Sequence, residues 1–152
     1  MTKFVGVIIA LLVMVSCDQP AFYNKYQAIE KVQWTKEKEY YFTFDIKDPT
    51  KAYDLDLFVR NSDRYPFQNL WLFMVQEPPI GPIHRDTIAC DLADDYGNWY
   101  GKGISLHERK IALYEHYAFP DSGRYILSFR QGMRRDTLPG IHEIGLRITV
   151  VQ

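Results

Sequence analysis

The chain has little of what usually announces a chemistry. It contains two cysteines, Cys17 and Cys90, too few for the disulfide framework of a stapled secreted fold. Its four histidines, His84, His107, His116 and His142, stand in no zinc-like spacing with another ligand and read as surface or loop residues. The 18 Lys+Arg against 19 Asp+Glu leave no basic excess, which excludes the electrostatic footprint of a nucleic-acid binder. No Gly-x-Ser-x-Gly elbow is present, Cys90 lacks a nucleophile setting, and Gly101-Lys102-Gly103 lacks the Gly-Lys-Ser/Thr order of a phosphate loop. The acidic run Asp94-Asp95-Tyr96-Gly97-Asn98 lacks the twelve-residue periodicity of an EF-hand and reads as a turn. Asp54 and Asp56 share one strand face, where a pair of carboxylates outside a cleft serves solubility. These absences predict no catalysis, no resident metal and no cofactor.

One long apolar run exists, from Phe4 to Val15, preceded by Lys3 and ending at Ser16-Cys17. It falls short of the roughly twenty residues that cross a bilayer core, so it reads as a secretory signal with a lipoprotein ending. Such a signal is removed just before the cysteine, whose thiol takes a diacylglycerol and whose new amino group takes an acyl chain such as palmitate. Met14 stands where a branched aliphatic residue is usual. One acyl chain anchors only marginally, and two or three anchor firmly. Residues 1–16 are therefore expected to be signal peptide, Cys17 the lipidation site, and residues 17–36 a tether without sustained periodicity. Loss of Lys3 takes the basic count to 17 against 19 acidic residues, about minus two for the mature chain. With Cys17 lipidated, Cys90 has no partner in the chain and is expected to be a buried, inert thiol.

From residue 37 the pattern is that of strands. Tyr40, Phe42, Phe44 and Ile46 alternate with polar neighbours, as do Tyr53, Leu55, Leu57 and Val59. Leu70 to Val75 is apolar on both faces and predicts a central strand covered on both sides, with Trp71 in the core. Pro78 to Pro82 breaks the ladder as a surface crossing, and Ile88, Cys90 and Leu92 mark another strand. Lys110 to Phe119 and Ile144 to Val150 supply two more, with a long loop over residues 131–142; Arg130, Arg134 and Arg135 form a basic patch nearby. Phe119-Pro120-Asp121-Ser122-Gly123-Arg124-Tyr125 has the form of a corner in which a tyrosine turns its hydroxyl back onto the preceding loop. Seven or eight short strands, an aromatic content of 15% and no amphipathic helix predict an all-β antiparallel sandwich, jelly-roll or Ig-like, over residues 37–152.

Several motifs in this order resemble the gliding-motility lipoprotein H (GldH) family of the Bacteroidota. They are Ser16-Cys17-Asp18, Arg60-Asn61, Tyr65-Pro66-Phe67-Gln68-Asn69-Leu70, Gly101-Lys102-Gly103, Phe119-Pro120 with Gly123 and Tyr125, Gln131 with Met133-Arg134, and Gly140-Ile141 leading to Ile144-Gly145-Leu146-Arg147. The resemblance implies a non-catalytic lipoprotein of the cell envelope, membrane-bound through Cys17, supporting gliding and the linked type IX secretion machinery through envelope protein partners. On this reading Tyr65, Phe67, Gln68 and Asn69, with Trp99, Tyr100 and Lys102, are the expected contact surface. The alternative is a glycan-binding surface lipoprotein, for which an exposed and coplanar Trp99 and Tyr100 beside a groove would be the mark.

Overall fold

The computed structural model describes residues 21–151; the signal segment, Cys17 and the first tether residues lie outside them. The strands are β1 (Tyr23–Ala28), β2 (Gln33–Thr35), β3 (Glu39–Ile46), β4 (Ala52–Ser62) and β5 (Asn69–Glu77). They continue as β6 (His84–Asp91), β7 (Leu106–Ala118), β8 (Gly123–Gln131), β9 (Thr137–Pro139) and β10 (Ile141–Val150). One sheet has the order β1-β10-β4-β7 and the other β3-β8-β5-β6, all pairs antiparallel, while β2 and β9 form a separate short ribbon. Consecutive strands of the two large sheets alternate between them except at the β5–β6 hairpin. That order is a jelly roll, which decides between the two sandwiches the sequence allows.

The alternation buries one row of each strand. Phe42, Phe44 and Ile46 of β3 meet Tyr53, Leu55, Leu57 and Val59 of β4 and Ile144, Leu146 and Ile148 of β10 in one core. The corner motif is formed as its sequence predicts: the buried Tyr125 hydroxyl donates to the Asp121 carbonyl at 2.9 Å. Its ring stacks on Phe44 and meets Phe119 edge-on at 4.7 Å. Cys90 is fully buried, and burial first, then Asp91, pushes its thiol up to about 12. On the outer face of the first sheet, Arg60 is held between Glu108 and Glu143 and lies over the Tyr26 ring. The four side chains come from β4, β7, β10 and β1, so one guanidinium spans the whole sheet. All of them are partly exposed, so water screens the charges and register is their larger effect.

Four expectations are corrected. The stretch 21–36 is part of the domain, because β1 pairs with β10 and Trp34, fully buried, edges onto Tyr40 at 5.3 Å. Polar residues stand on both faces of this edge strand, Asn24 beside Tyr26 and Lys25 and Gln27 beside Tyr23, and Gln27 donates to the Tyr41 carbonyl of β3 at 2.6 Å, which hides the period. β5 does sit inside its sheet, but only Leu70, Leu72 and Met74 face the core; Trp71 is 42% exposed on the outer face. Asp54 and Asp56 are not a solvated pair. Asp54 accepts the His116 backbone N–H at 2.7 Å where β7 bulges, and Asp56, 7% exposed, pairs with Lys110 at 2.9 Å. The loop 131–142 contains β9, and its Leu138 is fully buried.

Replacing Trp34 with Ala in the soluble Cys17→Ala chain lacking residues 1–16 is expected to cost about 3–5 kcal/mol in urea unfolding, as large core truncations do. A cost below about 1 kcal/mol would return residues 21–36 to the role of a tether.

Candidate partner-binding site

The alternation of strands sorts the connections into two ends. Residues 21–22, 47–51, 78–83, 119–122 and 151 gather at one end, since Ile46 pairs with Gly123, Ala52 with Ala118, Tyr53 with Val150 and Gln76 with His84. Residues 29–38, 63–68, 92–105 and 132–140 gather at the other, far end.

The two segments expected to make contact come together at the far end. The Gln68 carbonyl accepts the N–H groups of Leu92 at 2.8 Å and Ala93 at 3.0 Å. The Tyr100 N–H in turn donates to the Leu92 carbonyl at 2.9 Å. Between them opens a cleft of about 710 Å³ whose walls include Phe67, Gln68, Asn69 and Tyr100 and whose ionisable side chains are Asp91 and Asp95. The acidic turn beside it is an Asx turn: Asp94 accepts the N–H groups of Tyr96 and Asn98, each at 2.9 Å. Tyr100 is exposed, with the Arg109 guanidinium 4.9 Å from its ring centre.

Three of the expected contact residues have other tasks. Tyr65 is 3% exposed, donates its hydroxyl to the Asn69 carbonyl at 2.8 Å and meets Phe67 edge-on. Burial first, then Cys90, raises its hydroxyl well above the ordinary tyrosine value. Tyr65 therefore braces the loop from inside. Trp99 is half-buried, stacks on His107 and donates its indole N–H to Asp63 at 2.9 Å. Lys102 is exposed, but its backbone is fixed by paired bonds to Glu108 of 3.1 and 2.9 Å. The flanking glycines follow from this close approach: a Cβ on Gly101 would stand 2.9 Å from the Glu108 backbone, and Gly103 has φ +131°.

His107, read as a surface histidine, is buried on β7, with its Nε2 2.9 Å from the same Asp63 oxygen that takes the Trp99 proton. No spacing marks this triangle, because its members lie 36 and 44 residues apart. The structure also exposes a surface the sequence hides. Trp71 and Phe73 stand on the outer face of the second sheet, with Arg130 over the Phe73 ring. The signal that finds it is the strict alternation of aliphatic Leu70, Leu72 and Met74 with aromatic Trp71 and Phe73. Among the described residues, no cluster of three or more His, Cys, Asp or Glu side chains is placed to hold a metal ion.

The fold and this end-on cleft define an all-β jelly-roll domain. The chain belongs to the GldH lipoprotein family, whose model matches residues 21–148, a span that includes β1. A gliding motility lipoprotein GldH homolog of Christiangramia forsetii is 33% identical, over 93% of this chain and 91% of that protein. Gliding motility lipoprotein GldH of Flavobacterium johnsoniae is 29% identical, over 93% of this chain and 92% of that one. Among solved structures, infectious bursal disease virus Gx strain aligns at a TM-score of 0.35 and 10% identity, over 87% of this chain and 33% of the viral one. That score is too low to bear on fold or function.

Hydrogen bonds from His107 and then Trp99 hold the Asp63 carboxyl below its ordinary value of 3.8. A carboxyl whose folded value is lowered stabilises the fold above its unfolded value, and the contribution disappears as pH falls through the folded one. Urea titrations are expected to show stability dropping below about pH 4, with a shallower drop in Asp63→Asn. Parallel acid profiles would mean the triangle contributes nothing to folding.

Proposed function

We propose that this chain is a non-catalytic envelope adaptor that supports gliding motility and the associated type IX secretion machinery. Cys17 carries the lipid, residues 1–16 are removed, and the far end of the sandwich captures a protein partner. The observation that carries this reading is the convergence of residues 67–69 and 100 on one open cleft. The end bearing that cleft is opposite the one where the chain enters from Cys17.

Phe67 and Tyr100 supply aromatic walls and Asp91 and Asp95 negative charge. Aromatic anchors within a polar rim are the composition of protein recognition, and the carboxylates favour a partner segment bearing Lys or Arg. Burial of Tyr65 and immobilisation of Trp99 assign those two residues to scaffolding. Commitment of the Trp99 indole to Asp63 and His107 also counts against the glycan-binding alternative, since only Tyr100 of that pair remains free to stack on a sugar ring.

The test is capture from detergent-solubilised envelopes followed by mass spectrometry. Native protein is expected to recover motility or secretion components. The Gln68→Ala, Tyr100→Ala double variant is expected to lose them at least tenfold, about 1.4 kcal/mol, with its melting temperature nearly unchanged. Tyr65→Ala should instead lower the melting temperature. Recovery of polysaccharide alone, or equal capture by the double variant, would remove the adaptor reading.

A further inference from the structure

The end of the sandwich where the chain enters has its own apolar surface. The β5–β6 hairpin turns through Pro78-Pro79-Ile80-Gly81-Pro82-Ile83, and its tip is more apolar than solubility requires: Ile80 is 69% exposed and Ile83 45%. Phe22, also exposed, stands at the same end and packs one side of its ring toward Tyr53 at 6.1 Å. The tip is braced, because Gly81 takes φ +98° and Pro79 lies so close to Gly123 that a Cβ there would stand 2.9 Å away. Three prolines further limit what the tip gains by collapsing onto the domain. Charges at this end balance, because Lys47, Lys51 and Arg124 stand among Asp45, Asp48 and Asp121, with Lys51 3.8 Å from Asp48 and Arg124 3.2 Å from Asp45. The surface is therefore apolar, not basic.

Its occupant follows from the length of chain that precedes it. Three residues, Asp18, Gln19 and Pro20, separate Cys17 from Ala21, and four steps of a chain that covers no more than about 3.6 Å per residue put Ala21 within about 14 Å of a lipidated Cys17. A lipid-modified cysteine lies in the headgroup layer, and an apolar face entering that layer sinks about 5–10 Å into it. The anchor thus holds Ala21 near the headgroup layer, and Ile80 and Ile83 belong to the same end of the sandwich.

We propose that this end of the sandwich is a second membrane contact, in which Ile80, Ile83 and Phe22 enter the interface of the membrane that holds the lipid. The contact rests on the reading that Cys17 is lipidated, and it gives the domain a fixed orientation with the cleft pointing away from the bilayer.

The experiment uses the mature lipidated protein in vesicles of phosphatidylethanolamine and phosphatidylglycerol, with a nitroxide at Ile80→Cys or, at the far end, at Ile104→Cys. Cys90 is fully buried and does not compete for the label. The oxygen-to-nickel-chelate accessibility ratio is expected to be at least about threefold higher at position 80 than at 104, because oxygen partitions into the bilayer and the chelate does not. Equal, water-like ratios on protein whose intact mass carries the acyl chains would overturn the second contact and leave the anchor standing. An intact mass without acyl chains would overturn both.

Discussion

Everything in this molecule depends on the apolar layer between the two sheets, and above all on its aromatic part. Phe44, Tyr53, Phe119 and Tyr125 come from β3, β4, the β7–β8 corner and β8, and each ring touches at least one other at 4.7 to 6.0 Å. Contacts of this kind add about 0.5–1.5 kcal/mol apiece beyond the area they bury. They also fix position, because Tyr125 is tied by its hydroxyl to Asp121 and Tyr53 by its hydroxyl to the Asp48 carbonyl at 2.8 Å. Both hydroxyls grip connections at the chain-entry end. The layer that holds the sheets together therefore also sets the shape of the surface beneath them.

Strand alternation then does the rest. Because nearly every strand crosses to the opposite sheet, connections can lie only at two ends, and β4 with its 11 residues at about 3.3 Å each separates those ends by roughly 36 Å. One end holds Ala21 and Phe22, where the described chain begins, and shows isoleucine. The other gathers the cleft, the Asp63 triangle and the acidic turn. With no α-helix among the described residues, the domain obtains two unlike surfaces from topology alone.

Much of this was legible in the sequence where a single strand or turn carries its own signal. Inward rows such as Tyr53, Leu55, Leu57 and Val59 need only a period of two, and the Tyr125 corner needs only its local spacing. Trp71 was misread because a strand apolar on both faces looks the same whether its second face meets protein or water. β1 was missed because an edge strand may leave one row polar and still be held by β10. The cleft had no linear signal: its residues were named separately, and only the bonds from Leu92 and Ala93 to the Gln68 carbonyl bring them together. The His107 triangle failed for the same reason, with the added cost that a histidine's burial is set entirely by what packs on it.

The loss of the tether changes the mechanics more than any other correction. A chain of twenty flexible residues would have let the domain sample many orientations, with the cleft facing the bilayer as often as away from it. β1 is zipped to β10 from Tyr23 onward, so residues 23–28 belong to the domain and do not serve as a tether. On the proposed adaptor reading, the shorter connection narrows the heights above the membrane at which a partner would meet the far end. The ordering entropy of such an encounter is spent when the domain folds, and little of it is left to oppose binding. An adaptor, if that is the role, would gain from such stiffness, since the position offered to its partner would be set by the length of β4 more than by the chain before it.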